Sequence, residues 1–345
     1  MKIKPRILIT GSSGFFGSIL FEKLLKLNYP VIGIDLLESN SRYKKKIILC
    51  ELQNYGEIEK KLKYYNFDII IHLASQIDFS AKDQKTLFLN NIKITENICK
   101  YAKKRKIKKI IFTSSNSIYL GINKKIINDN DQFKPTDMYG KSKVKSEKIL
   151  NKYKNEIQIH ILRCPIIIDV GRVGMLTILF EILRSNAVVW VVNGGKIKHQ
   201  FLYAKDLVNI IIKLFKIKKS ITLNLGSNPA TSFHDIFSKL IQSVESKSKI
   251  RSLPSFIVVP ILKLLYKFNF SPMGPYQSRM LTKNFEFDLS KLKKELKFKS
   301  SKSNYEILEL AYNDYLKNIN NLNKKNSNNA KINMGILNML KFIKF

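Results

Sequence analysis

Through the first 165 residues, short runs of β-branched and other apolar residues alternate with longer stretches whose apolar positions recur at helical spacing. Continuous apolar runs of this length predict buried strands, and the 3.6-residue pattern predicts amphipathic helices. Strands are expected at Arg6–Thr10, Val31–Asp35, Lys46–Leu49, Asp68–Leu73, Lys109–Ser114 and Ile157–Arg163. The helices between them are expected at Phe15–Leu27, Tyr55–Tyr64, Gln84–Lys104 and Met138–Tyr153. Strands alternating with helices in this way describe parallel βαβ units.

After Pro165 the pattern loosens. Met175–Arg184 reads as a helix, Val188–Val192 as a strand, and Lys205–Phe215 as a helix returning to the first domain. Ile221–Leu225 reads as a strand ending at Gly226, and Ser232–Ser243 as a further helix. Leu253–Phe270 is apolar but interrupted by Pro254, Pro260, Lys263 and Lys267. A membrane span needs about 20 predominantly apolar residues, so a helical lid is expected there instead. Asn318–Ala330 is almost entirely Asn, Lys and Ser, the composition of a flexible linker. The apolar tail Ile332–Phe345, with Lys341 and Lys344, is too short to span a bilayer. It is read either as an interfacial helix making peripheral membrane contact or as a frayed end.

The resulting expectation is an α/β fold: a doubly wound parallel (Rossmann) sheet with a smaller mixed α/β substrate domain. Residues 1–170 with a returning segment at about 197–220 would form the first domain. Residues 171–196 and 221–317 would form the second, and 318–345 the linker and tail. A length of 345 residues accommodates two domains, and 45% hydrophobic residues are enough for a sizeable core. The three cysteines (Cys50, Cys99, Cys164) are far apart and unpaired in spacing, which argues against a disulfide scaffold or thiolate metal site. With no secretory signal at Met1, a cytoplasmic protein is expected. The formal charge of +35 admits a non-catalytic nucleic-acid or membrane-surface binder. The lysines are spread along the chain with few aromatics interleaved among Gly or Arg, so no nucleic-acid partner is expected and anionic small ligands are favoured.

Two segments carry candidate chemistry. Gly11-Ser12-Ser13-Gly14-Phe15-Phe16-Gly17 lies between a predicted strand and a predicted helix. Glycines there allow a tight turn and close backbone approach to a pyrophosphate at a helix N-terminus. Asp35 ends the next strand, where an acid can hold ribose hydroxyls and repel a 2′-phosphate, so NAD is favoured over NADP. In Tyr139-Gly140-Lys141-Ser142-Lys143 a phenol and an ammonium stand four residues apart, on one helical face. Ser115 closes a strand at the carboxyl edge of the sheet, where open α/β folds bind ligands. An ammonium beside the phenol favours phenolate, so Tyr139 can take a carbinol proton while Ser115 holds the same oxygen.

In this order the motifs resemble the extended short-chain dehydrogenase/reductases, and among them the NAD-dependent nucleotide-sugar epimerase/dehydratase group. The resemblance runs from about residue 5 to about 317, through Ile71-His72-Leu73-Ala74-Ser75, Asn91–Asn97, Leu162–Pro165, Gln200–Leu207, Asn224–Gly226 and Phe287–Leu296. It implies a catalytic trio of Ser115, Tyr139 and Lys143, with Lys143 also on the nicotinamide ribose. It implies NAD contacts from the glycine loop (Gly11, Ser13, Gly14, Phe15, Phe16, Gly17), from Asp35, from Glu51 and Leu52 near the adenine, and from Leu73, Ala74 and Ser75. Family dehydratases carry an Asp-Glu pair directly after the catalytic hydroxyl residue; here Asn116 and Ser117 stand there, which favours an epimerase that oxidises a sugar hydroxyl transiently.

On the substrate side, a nucleotide-diphosphate sugar would draw on Arg279, with Arg172, His199 and Ser117 as further candidates. Arginine's planar fork suits phosphate. No metal site is expected, since the histidines show no metal-ligand spacing. The resemblance also implies a homodimer through Gln84–Lys104 and Met138–Tyr153. The alternative within enzymes is an NAD(P)-dependent dehydrogenase or reductase of a sugar or hydroxysteroid-like alcohol.

Overall fold

The computed structural model describes residues 3–38, 43–77, 83–172, 174–268 and 275–322. Strands β1 (Ile7–Thr10), β2 (Val31–Asp35), β3 (Ile47–Leu49), β4 (Ile69–His72), β5 (Lys109–Ser115) and β6 (Gln158–Cys164) alternate with helices α1 (Phe15–Lys26), α2 (Tyr55–Lys61), α3 (Gln84–Lys104) and α4 (Met138–Asn151). Side-chain caps start three of these helices: Asn54 accepts from the N–H of Glu57, Asp83 from Thr86 and Asp137 from Gly140. Helix α2 ends three residues before the expected Tyr64, because Leu62 turns into the core while Tyr64 stays in solvent.

The second half follows with β7 (Ile167–Ile168), α5 (Leu176–Arg184), β8 (Val189–Val192), β9 (Lys198–His199), β10 (Leu202–Tyr203), α6 (Ala204–Leu214), β11 (Ile221–Asn224), β12 (Thr231–Ser232), α7 (Phe233–Ser243), β13 (Ile250–Leu253), α8 (Ser255–Lys267), α9 (Pro275–Met280), α10 (Ser290–Leu296) and α11 (Asn304–Leu322).

The main sheet is parallel with strand order β11-β6-β5-β4-β1-β2-β3. Helices cover both faces, which is why the central strands are apolar at consecutive positions. On one face Ile7, Ile9, Ile71, Ile111 and Leu162 pack with Leu20 and Leu24 of α1 and Leu207 and Ile211 of α6. On the other, Leu8, Ile70, Ile110 and Ile159 pack with Ile58 of α2, Ile98 of α3 and Ile149 of α4. A third cluster joins Phe180, Leu183, Ile236, Leu240, Ile307 and Tyr312 from α5, α7 and α11.

Two boundaries differ from expectation. Ile221–Asn224, assigned above to the smaller domain, is the seventh strand of the main sheet, paired from Ile221↔His160 to Asn224↔Arg163. Phe287, Leu292 and Leu296 from the closing segment also join the core of that sheet. A four-residue strand of alternating apolar and polar residues, Ile-Thr-Leu-Asn, carries no mark of which sheet it will enter. The expected linker from Asn318 is helical through Leu322, because α11 continues past Lys317 and Asn318 Nδ2 donates to the carbonyl and carboxylate of Asp314. The rest of the linker, the tail Ile332–Phe345 and Asn269–Phe270 lie outside the described residues.

Two buried cations tie the sheet to its helices. Lys109 Nζ donates to the carbonyls of Leu214, Phe215 and Ile217 at 2.7, 2.8 and 2.9 Å, closing the C-terminal end of α6. Arg163 of β6 meets Glu147 of α4 with Nη2–Oε2 at 2.8 Å and Nε–Oε1 at 3.1 Å, both side chains almost wholly buried. Ser114 Oγ donates to the same carboxylate at 2.5 Å, and Arg163 Nη1 donates to the Asp129 carbonyl at 2.6 Å and to the Tyr119 hydroxyl.

Removing one partner leaves the other charge buried without compensation. Arg163→Met is therefore expected to cost about 3–5 kcal/mol in urea unfolding. The double variant Glu147→Gln/Arg163→Met is expected to lose clearly less than the sum of the two single losses; additive losses would show the pair to be energetically uncoupled.

Candidate active site

The carboxyl ends of β1, β4 and β5 converge on the glycine loop and on the first turn of α4. The loop enters α1 at Gly14 with no side-chain cap and no acid in the first turn, leaving its N–H groups available to an anion. Gly17 lies so close beneath the turn that a Cβ on it would stand 2.0 Å from the Gly11 carbonyl oxygen. Asp35, at the end of β2, accepts from the N–H of Ser13 at 2.8 Å and of Leu37 at 3.1 Å, so the acid is held against the loop. Phe15 is half-buried and Phe16 buried in the core beneath.

After β4, the Leu73 N–H donates to the Thr10 carbonyl and the Ala74 N–H to Thr10 Oγ1, which brings this segment alongside the glycine turn. Ser75 Oγ is buried there without a hydrogen-bond partner. After β3, Leu52 is buried and Glu51 exposed. Asn97 of α3 clamps this turn by donating to the carbonyls of Leu52 and Gln53 at 2.9 and 2.7 Å.

The proposed trio gathers where α4 crosses the end of β5. Asp137 starts the helix by accepting from Gly140 N–H at 2.6 Å, and burial pushes its carboxyl above the usual range. Gly140 lets the first turn approach closely, since a Cβ there would meet the Ser117 carbonyl oxygen at 2.8 Å. Lys143 Nζ donates to the Thr113 carbonyl at 3.0 Å and lies 5.6 Å from the centre of the Tyr139 ring. Burial drives the Lys143 ammonium down to about 8, with Cys164 and Glu147 acting in the opposite sense. Ser115, two residues beyond Thr113, accepts from Ser117 N–H at 3.2 Å and lies 3.0 Å from Ser117 Oγ. A phenol, a partly desolvated ammonium and a hydroxyl pair at one sheet edge are equipped to move a proton at a carbinol oxygen.

A polar chain missed by the sequence reading backs this site. Burial, then the charge of Lys143, pushes His72 down to about 3, so its ring is neutral. Its Nδ1 lies 2.8 Å from Thr10 Oγ1 and its Nε2 3.3 Å from Thr95 Oγ1. Thr95 in turn donates to the Asn91 carbonyl and meets Ser146 Oγ at 3.0 Å, while Asn91 Nδ2 donates to Ser142 Oγ at 3.2 Å. The chain thus runs from the glycine-loop strand across α3 to α4. Its signal lay in Ser142 and Ser146, three and seven residues after Tyr139 and on one helical face with it.

The expected substrate residues fare differently. Arg279 Nε donates to the Leu120 carbonyl at 2.9 Å, beside the turn that follows Ser115. The Arg172 guanidinium lies 5.1 Å over the Phe15 ring, at the glycine loop. Ser117 is buried and turned to Ser115. His199 is not brought to this site: it is fully buried, stacked on Phe233 at 4.3 Å, and burial lowers it to about 4. Its apolar aromatic surroundings make it a core residue.

Residues 7–226 match the family model described as the NAD dependent epimerase/dehydratase family. The protein y4nG of Sinorhizobium fredii is 26% identical over 324 residues, covering 92% of this chain and 80% of its own length. The enzyme WbmG of Bordetella bronchiseptica, crystallised in complex with NAD, has a TM-score of 0.75 at 18% identity over 91% of this chain and 94% of its own. A UDP-glucose 4-epimerase of Thermotoga maritima, crystallised with UDP-glucose, has a TM-score of 0.74 at 21% identity over 91% of this chain and 99% of its own. At these identities the two structures share the fold.

Two measurements probe the site. Gly17→Ala forces the loop away from α1 and is expected to weaken dinucleotide affinity at least tenfold by titration calorimetry; unchanged affinity would place the dinucleotide elsewhere. Between about pH 8 and the ordinary lysine value of 10.5, the unfolded chain holds a proton that folded Lys143 has released, so stability rises with pH there. Lys109, also lowered to about 8 by burial, adds to the same rise. Urea unfolding of Lys143→Met across pH 7.5–10.5 is expected to show a shallower rise than the parent, and an equal rise would contradict the burial argument.

Proposed function

As the chain belongs to the NAD-dependent epimerase/dehydratase family, with NAD as its cofactor, we propose that it is a nucleotide-sugar epimerase, 4-epimerase-like in its reaction. The observation that carries this reading is the meeting of Tyr139, Lys143 and the Ser115 strand at one sheet edge without the acid pair that dehydration asks for. The loop and its surroundings fit a dinucleotide: Gly17 leaves no room for a side chain beneath the turn, Asp35 stands at its rim, and Ser75 Oγ is buried without a partner. These residues, with Lys143, would hold NAD, which when bound accepts and returns a hydride.

Tyr139 takes the proton from the sugar hydroxyl as the carbinol becomes a ketone and gives it back when the carbon is reduced from its other face. Lys143, its charge poised by burial and anchored on the Thr113 carbonyl, stabilises the phenolate. Ser115 holds the sugar oxygen, with Ser117 orienting its hydroxyl. Asn116 and Ser117 occupy the places where a dehydratase has an acid and a base, and both are buried. Asp137, the carboxylate two residues before Tyr139, is committed to the Gly140 N–H. Elimination of water therefore lacks a proton donor at the leaving hydroxyl.

The diphosphate of the sugar nucleotide would meet Arg279 and Arg172. The same reading places the protein in the cytoplasm, as a homodimer through α3 and α4, where Leu89 stands half-exposed.

The test is to incubate the chain and NAD with UDP-, GDP- and dTDP-sugars and follow the products by proton NMR. The expected outcome is an epimeric sugar with no net accumulation of NADH. A 4-keto-6-deoxy product would overturn the epimerase reading in favour of a lyase, and stoichiometric NADH would favour the dehydrogenase. Tyr139→Phe is expected to lower turnover by a factor of about 10²–10⁴, the usual share of a positioned acid–base group, with NAD affinity changed less than threefold.

A further inference from the structure

Helix α8 is built inside out. None of its thirteen residues is buried, although it is among the most apolar segments of the chain. At about 100° per residue, Phe256, Pro260, Leu264 and Phe268 follow one row with Ile257 and Ile261 beside it. That row faces solvent: Phe256 is 77% exposed, Leu264 and Phe268 58% each, and Ile261 51%. Val258, Val259, Leu262, Leu265 and Tyr266, on the opposite side, are the partly covered residues. Lys263 and Lys267 are exposed on the edge of the row next to Phe256. The helix is fixed at its start, where Ser255 N–H donates to Asn193 Oδ1 and Gly194 N–H donates to Ser252 Oγ. The strand that feeds it, β13, sets Arg251 in register with Trp190 of β8, itself 41% exposed.

A contiguous exposed row of large apolar side chains marks an interaction surface, and charge identifies the partner. Residues 246–268 contain five lysines and arginines, all exposed, and no aspartate or glutamate. A second copy docking symmetrically would set this acid-free segment against itself, cation facing cation. An anionic lipid surface satisfies both features at once: the apolar row enters the boundary between headgroups and acyl chains, and the lysines meet the phosphates. We propose that α8 seats the protein on the surface of a bilayer containing anionic lipid. The proposal is independent of the reaction assigned to the nucleotide site.

The test uses the full chain in flotation with vesicles of phosphatidylcholine alone and with one part phosphatidylglycerol to two parts phosphatidylcholine. The parent protein is expected to float with the anionic vesicles and not with the neutral ones, and to stay partly bound when salt is raised. Leu264→Ser/Phe268→Ser and Lys263→Gln/Lys267→Gln, all at exposed positions, are each expected to weaken this binding at least tenfold while NAD affinity is retained. Failure of the parent to float would overturn the proposal. So would undiminished binding by both variants, which would assign attachment to other lysines or another segment. A concentration-dependent dimer abolished by Leu264→Ser/Phe268→Ser would replace the membrane with a second copy.

Discussion

The pairing of Arg163 with Glu147 inside the protein constrains most of what surrounds it. Two charges withdrawn from water are tolerated because their remaining hydrogen-bonding positions are filled by Ser114, Tyr119 and the Asp129 carbonyl. These partners belong to β5, the turn after it, and the segment beyond that turn, while the charges themselves sit on β6 and α4. Satisfying one buried pair therefore fixes the angle at which α4 crosses the sheet. Tyr139 and Lys143 ride on that helix, and Ser115 follows directly after Ser114. The geometry of the proposed trio is in this sense a by-product of electrostatics one helical turn away.

The chain of neutral hydroxyl, amide and imidazole groups through Thr10, His72, Thr95, Asn91 and the two serines of α4 complements the ion pair. It joins the strand that carries the glycine loop to the helix that carries the phenol. Buried polar networks of this kind hold only when every member finds a partner, so they specify one arrangement and penalise near misses. A charged His72 would meet only neutral hydroxyls here, in a fully buried place beside the Lys143 charge, and the ring's low proton affinity keeps the chain neutral. The two halves of the candidate site, the glycine loop and the helix with Tyr139 and Lys143, are thereby held in a fixed relation.

Much of this was readable from residue order. The central strands are apolar on both faces because helices cover both, and that leaves the run of Ile and Leu in Ile7–Thr10 or Ile69–His72 unmistakable. Glycine spacing, Asp35 and the four-residue step from Tyr139 to Lys143 are local patterns, visible in any chain. What stayed hidden depends on distant partners. Ile221–Asn224 has the same character whether it joins the main sheet or a small one, and only its neighbour β6 decides. His199 beside Gln200 resembles a site residue until Phe233 and Phe285 close over it. Arg163 reads as one arginine in a strand, and its buried acid lies on a helix that precedes it by sixteen positions.

The order of strands has a consequence for biosynthesis. The outermost strand next to β6 is contributed by residues 221–224, well after the other six have left the ribosome. Until it arrives, the side of β6 from His160 to Arg163 offers an unpaired row of amides and carbonyls, the kind of edge on which neighbouring nascent chains adhere. The half of the protein that would hold the nucleotide therefore matures late, once the polypeptide has passed through the other domain's first elements and come back. Shortening the chain anywhere before that return yields an incomplete sheet rather than a smaller working module.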